Sequence, residues 1–266
     1  MYTEKDHTFV VCAYKESQYL EEVVRSLRAQ TVKSRILVST STPNAWIEAI
    51  CAKYELPLVV NRGESSIARD WNFGYDAAKT PLVTIAHQDD IYEPDFLSRT
   101  IDALNQHQNE RVQIAFTDYY ELKNGRKVEK NRLLTIKRIL LFPLRLSRLG
   151  RYSFIKRRVL SLGNPICCPS VTLVKEHLSP GVFDVQYVNG CDYKTWAGLA
   201  GKKGMFLYIP KRLMGHRIHA ESTTTKNVAD GTRKREDLEI MCEFWPRPIA
   251  KMINRVYASS EKSNQV

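Results

Sequence analysis

The sequence predicts an α/β fold in which a mixed, mainly parallel sheet lies between flanking helices. Three observations carry this expectation. Short apolar runs rich in β-branched residues alternate with segments of helical period over the first 120 residues. Each run ends in polar residues on the same side, as in open sheets that bind ligands beyond the carboxyl ends of their strands. At 266 residues and 43% hydrophobic content, the chain can bury a sizeable core.

His7 to Ala13 reads as a buried strand, and Tyr19, Leu20, Val23, Val24 and Leu27 mark an amphipathic helix after it. Arg35 to Ser39, Ala45 to Tyr54 and Leu56 to Asn61 continue as strand, helix and strand, a βαβαβ unit with right-handed crossovers. Ser65 to Ala78 reads as a helix capped by Ser65 or Ser66. Leu82 to Ala86 is a strand running into His87-Gln88-Asp89-Asp90. Two adjacent carboxylates beyond a strand repel unless a cation or hydrogen bonds hold them, so Asp89 and Asp90 suggest a hard-metal site. The same acids with Pro94 also suit a turn and a helix start. Phe96 to Gln106 is a further helix and Val112 to Asp118 a further strand. The binding edges at Tyr14, Ser39 to Thr42, Asn61 to Gly63 and His87 to Asp90 fall on one side.

The formal net charge is +11, and its location is informative. From Lys123 to Arg158, thirteen Lys and Arg face one acid, Glu129. Leucines and isoleucines between Leu133 and Leu162 share this segment, which Pro143 and Gly150 break into two or three short helices. It suits an anionic membrane interface, or an insertion packing its leucines on the body. Aromatic residues do not interleave with the basic ones as a nucleic-acid stacking platform needs, so no nucleic acid is expected. No stretch has the apolar length of a signal peptide or a membrane span, and the six cysteines lack metal-finger spacing, so a cytoplasmic protein with reduced thiols is expected. Asn164 to Glu176 and Met205 to Pro210 return to strand character. Arg233 to Phe244 and Ile249 to Tyr257 read as terminal helices before a polar tail from Ser259.

Four separated blocks carry a resemblance. A strand ending in Ala-Tyr-Lys-Glu precedes a helix closing on Ser-Leu-Arg-Ala-Gln-Thr; S-S-I-A-R-D-W-N-F-G-Y-D-A-A-K-T is followed by H-Q-D-D; then come N-G-C-D-Y-K-T-W-A-G-L-A and H-R-I-H-A-E-S-T-T. In order and spacing they resemble the family 2 glycosyltransferases. The resemblance implies a GT-A (Rossmann-like) fold, a nucleotide-diphosphate-sugar donor, and Mn²⁺ or Mg²⁺ as cofactor. It divides the chain into a catalytic domain over 1–225 and a helical extension over 226–266. The domain would hold a nucleotide-sugar half (1–120), the basic insertion (123–162) and an acceptor half (163–225).

The resemblance also assigns roles. Ala13, Tyr14, Glu16, Thr40, Arg69, Gln88 and Asp89 would contact the nucleotide, Tyr14 offering a ring face to the base. Asp89, Asp90 and His219 would hold the metal. Asp192 would be the general base for the acceptor hydroxyl, and a single displacement assisted by one base implies inversion. By spacing alone Asp192 equally suits a helix N-cap after Gly190. Trp196 would shape the acceptor side or merely pack. His87 stands where the family has the first acid of its D-x-D, Ser39 to Thr42 where many members have an acid, and Asp70 where many have asparagine. The acceptor expected is a lipid-linked or cell-surface oligosaccharide, with the enzyme peripheral on an anionic membrane. The alternatives are a sugar nucleotidyltransferase, which would need a Gly-rich phosphate loop that Cys12 to Glu16 does not form, or a basic membrane- or RNA-binding module on an inactive scaffold.

Overall fold

The computed structural model describes residues 1–219 and 231–262. The first half alternates as the sequence predicts: β1 (His7–Ala13), α1 (Leu20–Arg28), β2 (Arg35–Thr40), α2 (Ala45–Lys53), β3 (Leu58–Val60), α3 (Ile67–Ala77) and β4 (Leu82–His87). Leu20, Val23, Val24 and Leu27 form the buried stripe of α1. Asn44 caps α2 by accepting from the Ile47 amide at 3.0 Å, and Ser66 caps α3 by accepting from Arg69 at 3.2 Å. Then follow β5 (Ile91–Tyr92), α4 (Phe96–Gln106), β6 (Val112–Lys123), β7 (Arg126–Val128), α5 (Arg132–Leu141), α6 (Ser153–Leu160), β8 (Val171–Val174), α7 (Cys191–Gly201), β9 (Met205–Ile218), α8 (Thr232–Met241) and α9 (Arg247–Lys262).

The strands make one sheet ordered β3-β2-β1-β4-β8-β6-β9-β5, with β7 paired to β6. β1 to β4 are parallel, so the four polar edges expected on one side do lie together. β8 runs antiparallel between β4 and β6. Its strand is shorter than the 164–176 stretch suggested, because a 3-10 turn at Cys168–Ser170, opened by Pro169, precedes it. Two strands are longer than expected. β6 runs on to Lys123 and β9 to Ile218, and they stay parallel past register shifts at Thr117 and Asp118. That extension carries His216 to the ligand edge.

The basic segment forms α5, two 3-10 turns (Phe142–Arg145 and Ser147–Arg151) and α6. Leu134, Leu141, Leu144, Val159 and Leu160 are buried in the core. Gly150 sits where the segment crosses β9, and an added Cβ would fall 2.0 Å from the Phe206 carbonyl oxygen. The Lys156 side chain is fully buried. Its Nζ meets Gln113 Oε1 and the carbonyls of Leu199, Lys202 and Gly204 at 2.7–3.3 Å, while burial pushes its pKa down to about 8. The C-terminal helices are no loose appendage, since Ile240 of α8 belongs to the main core. The expected boundary at 225/226 and Ala220 to Thr224 of the closing motif lie outside the described residues, as do the side chains of the tail from Ser259. All six cysteines are free thiols.

Lys156→Met should lower unfolding stability by roughly 3 kcal/mol in urea denaturation, because it strands several buried oxygen acceptors.

Candidate active site

The carboxyl ends of β1, β2 and β4 open into a cleft of about 610 Å³. Its other boundaries come from α5 (Leu133, Lys137), the 164–169 segment, Val188 to Asp192, the end of β9 and Arg233 of α8. Two hydrogen bonds clamp the strand ends: the Tyr14 amide donates to Gln88 Oε1 at 2.9 Å, and Gln88 Nε2 donates to the Tyr14 carbonyl at 3.1 Å. Deeper along β2 and β3, Asp70 accepts from Ser41, Ser65 and Asn61 at 2.7–2.9 Å.

At the end of β4, His87, Asp89 and Asp90 bring one ligand atom each within 4.8 Å of one another. Asp90 is buried. Its Oδ1 accepts from the Arg217 amide at 2.9 Å and lies 3.1 Å from His216 Nδ1. Its Oδ2 and His87 Nε2 are buried without a hydrogen-bond partner. Asp89 Oδ2 lies 2.9 Å from His219 Nε2, and Arg217 Nε donates to the Asp89 carbonyl at 2.8 Å. His87 also stacks on Trp71, ring centres 4.9 Å apart. Burial works to raise the Asp89 carboxyl, but the His219 contact and the charges of His87 and His216 together hold it below its ordinary value. Burial lowers His87, whereas for His216 the adjacent Asp90 outweighs burial and raises it. Orphaned oxygen and imidazole donors beside a second carboxylate fit a divalent cation.

Asp192 sits in the first turn of α7, whose N-cap is Gly190, so the carboxylate is not used as the cap. Instead its Oδ2 accepts from Asn164 Nδ2 at 2.8 Å, and it lines the cleft. Burial holds this carboxyl above the ordinary range, opposed by Arg233, the Tyr193 amide, Lys137 and Asn164. The preceding loop is fixed from α8: Glu236 accepts from the amides of Val188, Asn189 and Gly190 at 2.8–2.9 Å.

The model of the family described as "Glycosyl transferase family 2" matches residues 8–179. The chain belongs to glycosyl transferase family 2. Among solved structures, S. aureus TarS 1-349 superposes with a TM-score of 0.61 at 12% identity, covering 93% of this chain and 69% of that one. The Pyrobaculum calidifontis mannosyltransferase PcManGT, in complex with GDP-Man and Mn²⁺, gives 0.61 at 12% identity over 98% and 76%. Mycobacterium tuberculosis glucosyl-3-phosphoglycerate synthase, in complex with Mn²⁺ and UDP-Glc, gives 0.58 at 15% over 90% and 79%. At these identities the likeness shows the shared GT-A fold. No curated protein matches the chain by sequence.

In this family 2 glycosyltransferase, Ala13, Tyr14, Gln88, Asp89 and Asp192 line the cleft, with His219 held against Asp89. Others lie elsewhere. Thr40 is buried behind the wall, accepting from the Thr42 amide at 3.0 Å. Arg69 pairs with Glu64 at 3.0 Å, and Glu16 is exposed; neither lines the cleft. Trp196 is fully buried near Phe183, ring centres 6.1 Å apart, and does not line the cleft. The sequence reading assigned no role to His216, Lys137, Asn164, Arg233 or Glu236. His216 lies on the extension of β9 past Pro210, where Lys211-Arg212-Leu213-Met214 does not alternate and pairing with β6 makes the strand; for Glu236, three bonds to a loop 46–48 residues away leave no local pattern.

Glu236→Ala should cost about 3 kcal/mol in denaturant unfolding, since three amides lose their acceptor, and Glu236→Gln should cost less.

Proposed function

We propose that this nucleotide-sugar glycosyltransferase is metal-dependent and inverting, and acts on a hydroxyl of a lipid-linked or cell-surface polysaccharide precursor. One observation carries the reading. His87 and Asp89, which gather with the buried Asp90, line the same cleft as the Asp192 carboxylate. The Mn²⁺ and nucleotide sugars named with two similar structures support it.

Each residue then has a task. Asp89, Asp90 and His87 would hold Mn²⁺ or Mg²⁺, with His219 orienting Asp89; the imidazole favours Mn²⁺. When bound, the ion supplies positive charge to the departing diphosphate. The Tyr14 ring and the polar groups around Asp70 offer a seat for the nucleoside, which the Tyr14–Gln88 clamp holds at a fixed distance from Asp89. Asp192 removes the acceptor proton as the hydroxyl attacks the anomeric carbon and the diphosphate departs from the opposite face. One such displacement inverts the configuration.

Thermal shift against UDP and GDP should show stabilisation that requires Mn²⁺ and is lost in Asp89→Ala; equal stabilisation without metal would overturn the metal assignment. The base needs its ionised form, and its pKa is raised. Activity should therefore fall as pH drops through a value above the ordinary aspartate range of about 3.9. Asp192→Asn should lower kcat by about 10²–10⁴-fold while keeping the Mn²⁺-dependent nucleotide shift.

A further inference from the structure

Among the described residues, fifteen large apolar side chains are exposed, and ten of them fall in two stretches, 136–162 and 249–256. The stretches are distant in sequence but joined in space. Trp245 Nε1 donates to the Ser161 carbonyl at 2.8 Å, the Arg158 guanidinium lies over the rings of both Phe154 and Trp245, and Gly163 abuts the Tyr257 ring.

In each stretch the helices turn apolar residues away from the body. On α9, Ala250 and Asn254 are buried one turn apart, while Ile249, Met252 and Val256 form a stripe on the other side, exposed by 40%, 61% and 66%. On α5, Leu134 and Leu141 enter the core and Leu133 and Lys137 face the cleft. Ile139 there and Phe142 just beyond point outward, each 66% exposed. A soluble body rarely shows such a run of apolar residues without a partner.

The charge identifies the partner. In 132–158, which holds no acid, Arg132, Arg145, Arg148, Arg151 and Arg158 are exposed, and Arg247, Lys251 and Arg255 are exposed in 245–258, which holds no acid either. A second copy docking by the same face would bring like charge onto like. No helix among the described residues is long and apolar enough to cross a membrane. We infer that the α5–α6 segment and α9 together form one docking face for an anionic lipid bilayer, on which the protein lies with its apolar side chains among the acyl chains and its Arg and Lys at the headgroups. The face stands independently of the proposed transfer reaction. If that reaction holds, α5 links the two, because one side of it lines the cleft and the other meets the lipid, which suits an acceptor anchored in the same bilayer.

The test is co-sedimentation of the full chain with phosphatidylcholine vesicles, with and without phosphatidylglycerol. Binding should require phosphatidylglycerol and weaken as salt rises. The pair Ile139→Ser/Phe142→Ser and the pair Met252→Ser/Val256→Ser should each weaken it about tenfold, leaving the melting temperature and the Mn²⁺-dependent nucleotide shift unchanged. Loss through only one pair would overturn the composite face. Binding to neither vesicle, salt-sensitive binding to RNA instead, or self-association abolished by the same substitutions would overturn the lipid assignment. A failed nucleotide shift with intact vesicle binding would count against the transferase reading alone.

Discussion

The arrangement depends on one buried carboxylate. Asp90 lies at the end of β4, and its Oδ1 meets the Arg217 amide and the His216 ring on β9. A carboxylate removed from water must be surrounded by donors, and here the donors come from the far part of the sheet. That single requirement draws the end of β9 over the end of β4. It sets His219 against Asp89 and brings Arg217 both to the Asp89 carbonyl and to Glu22 of α1. The early and late strands of the sheet are thereby joined at the edge of the cleft.

How much of this was legible in the sequence follows from range. The elements up to Gln106 could be read, β5 excepted, because each buries its own periodic face, as α1 does with Leu20, Val23, Val24 and Leu27, whereas β5 exists through pairing with β9. Later elements take their limits from partners. β9 continues past Pro210 because β6 lies beside it for eleven paired positions, a fact no local window contains. The same holds for the site. Asp89 and Asp192 could be placed by motif, whereas Glu236 acts through backbone amides of a loop and Trp196 is decided by packing with Phe183. A motif marks a position along the chain, whereas burial is set by partners distant in sequence.

The basic insertion is anchored on the body by part of its side chains and leaves others outside. Leu134, Leu141 and Leu144 pack, and Lys156 is buried as a tie between α6, the end of α7 and the start of β9. Arg138 pairs with Asp118 of β6 at 2.8 Å. The residues that do not pack are the ones that give the surface its character. An insertion anchored this firmly is a rigid wall of the cleft, so what touches its outer side is mechanically connected to the inner side.

The Asp90 contact also has a consequence in time. His216 follows Asp90 by 126 residues and His219 follows Asp89 by 130. At ordinary synthesis rates, β4 leaves the ribosome roughly 6–25 s before the residues that complete its edge. Through that interval Asp90 has neither of its partners from β9, so the emerging chain carries a carboxylate whose folded-state contacts are still to be made. The βα units before it can settle locally, but the joining of β4 to β9 waits for non-local pairing and belongs to the last stage of folding.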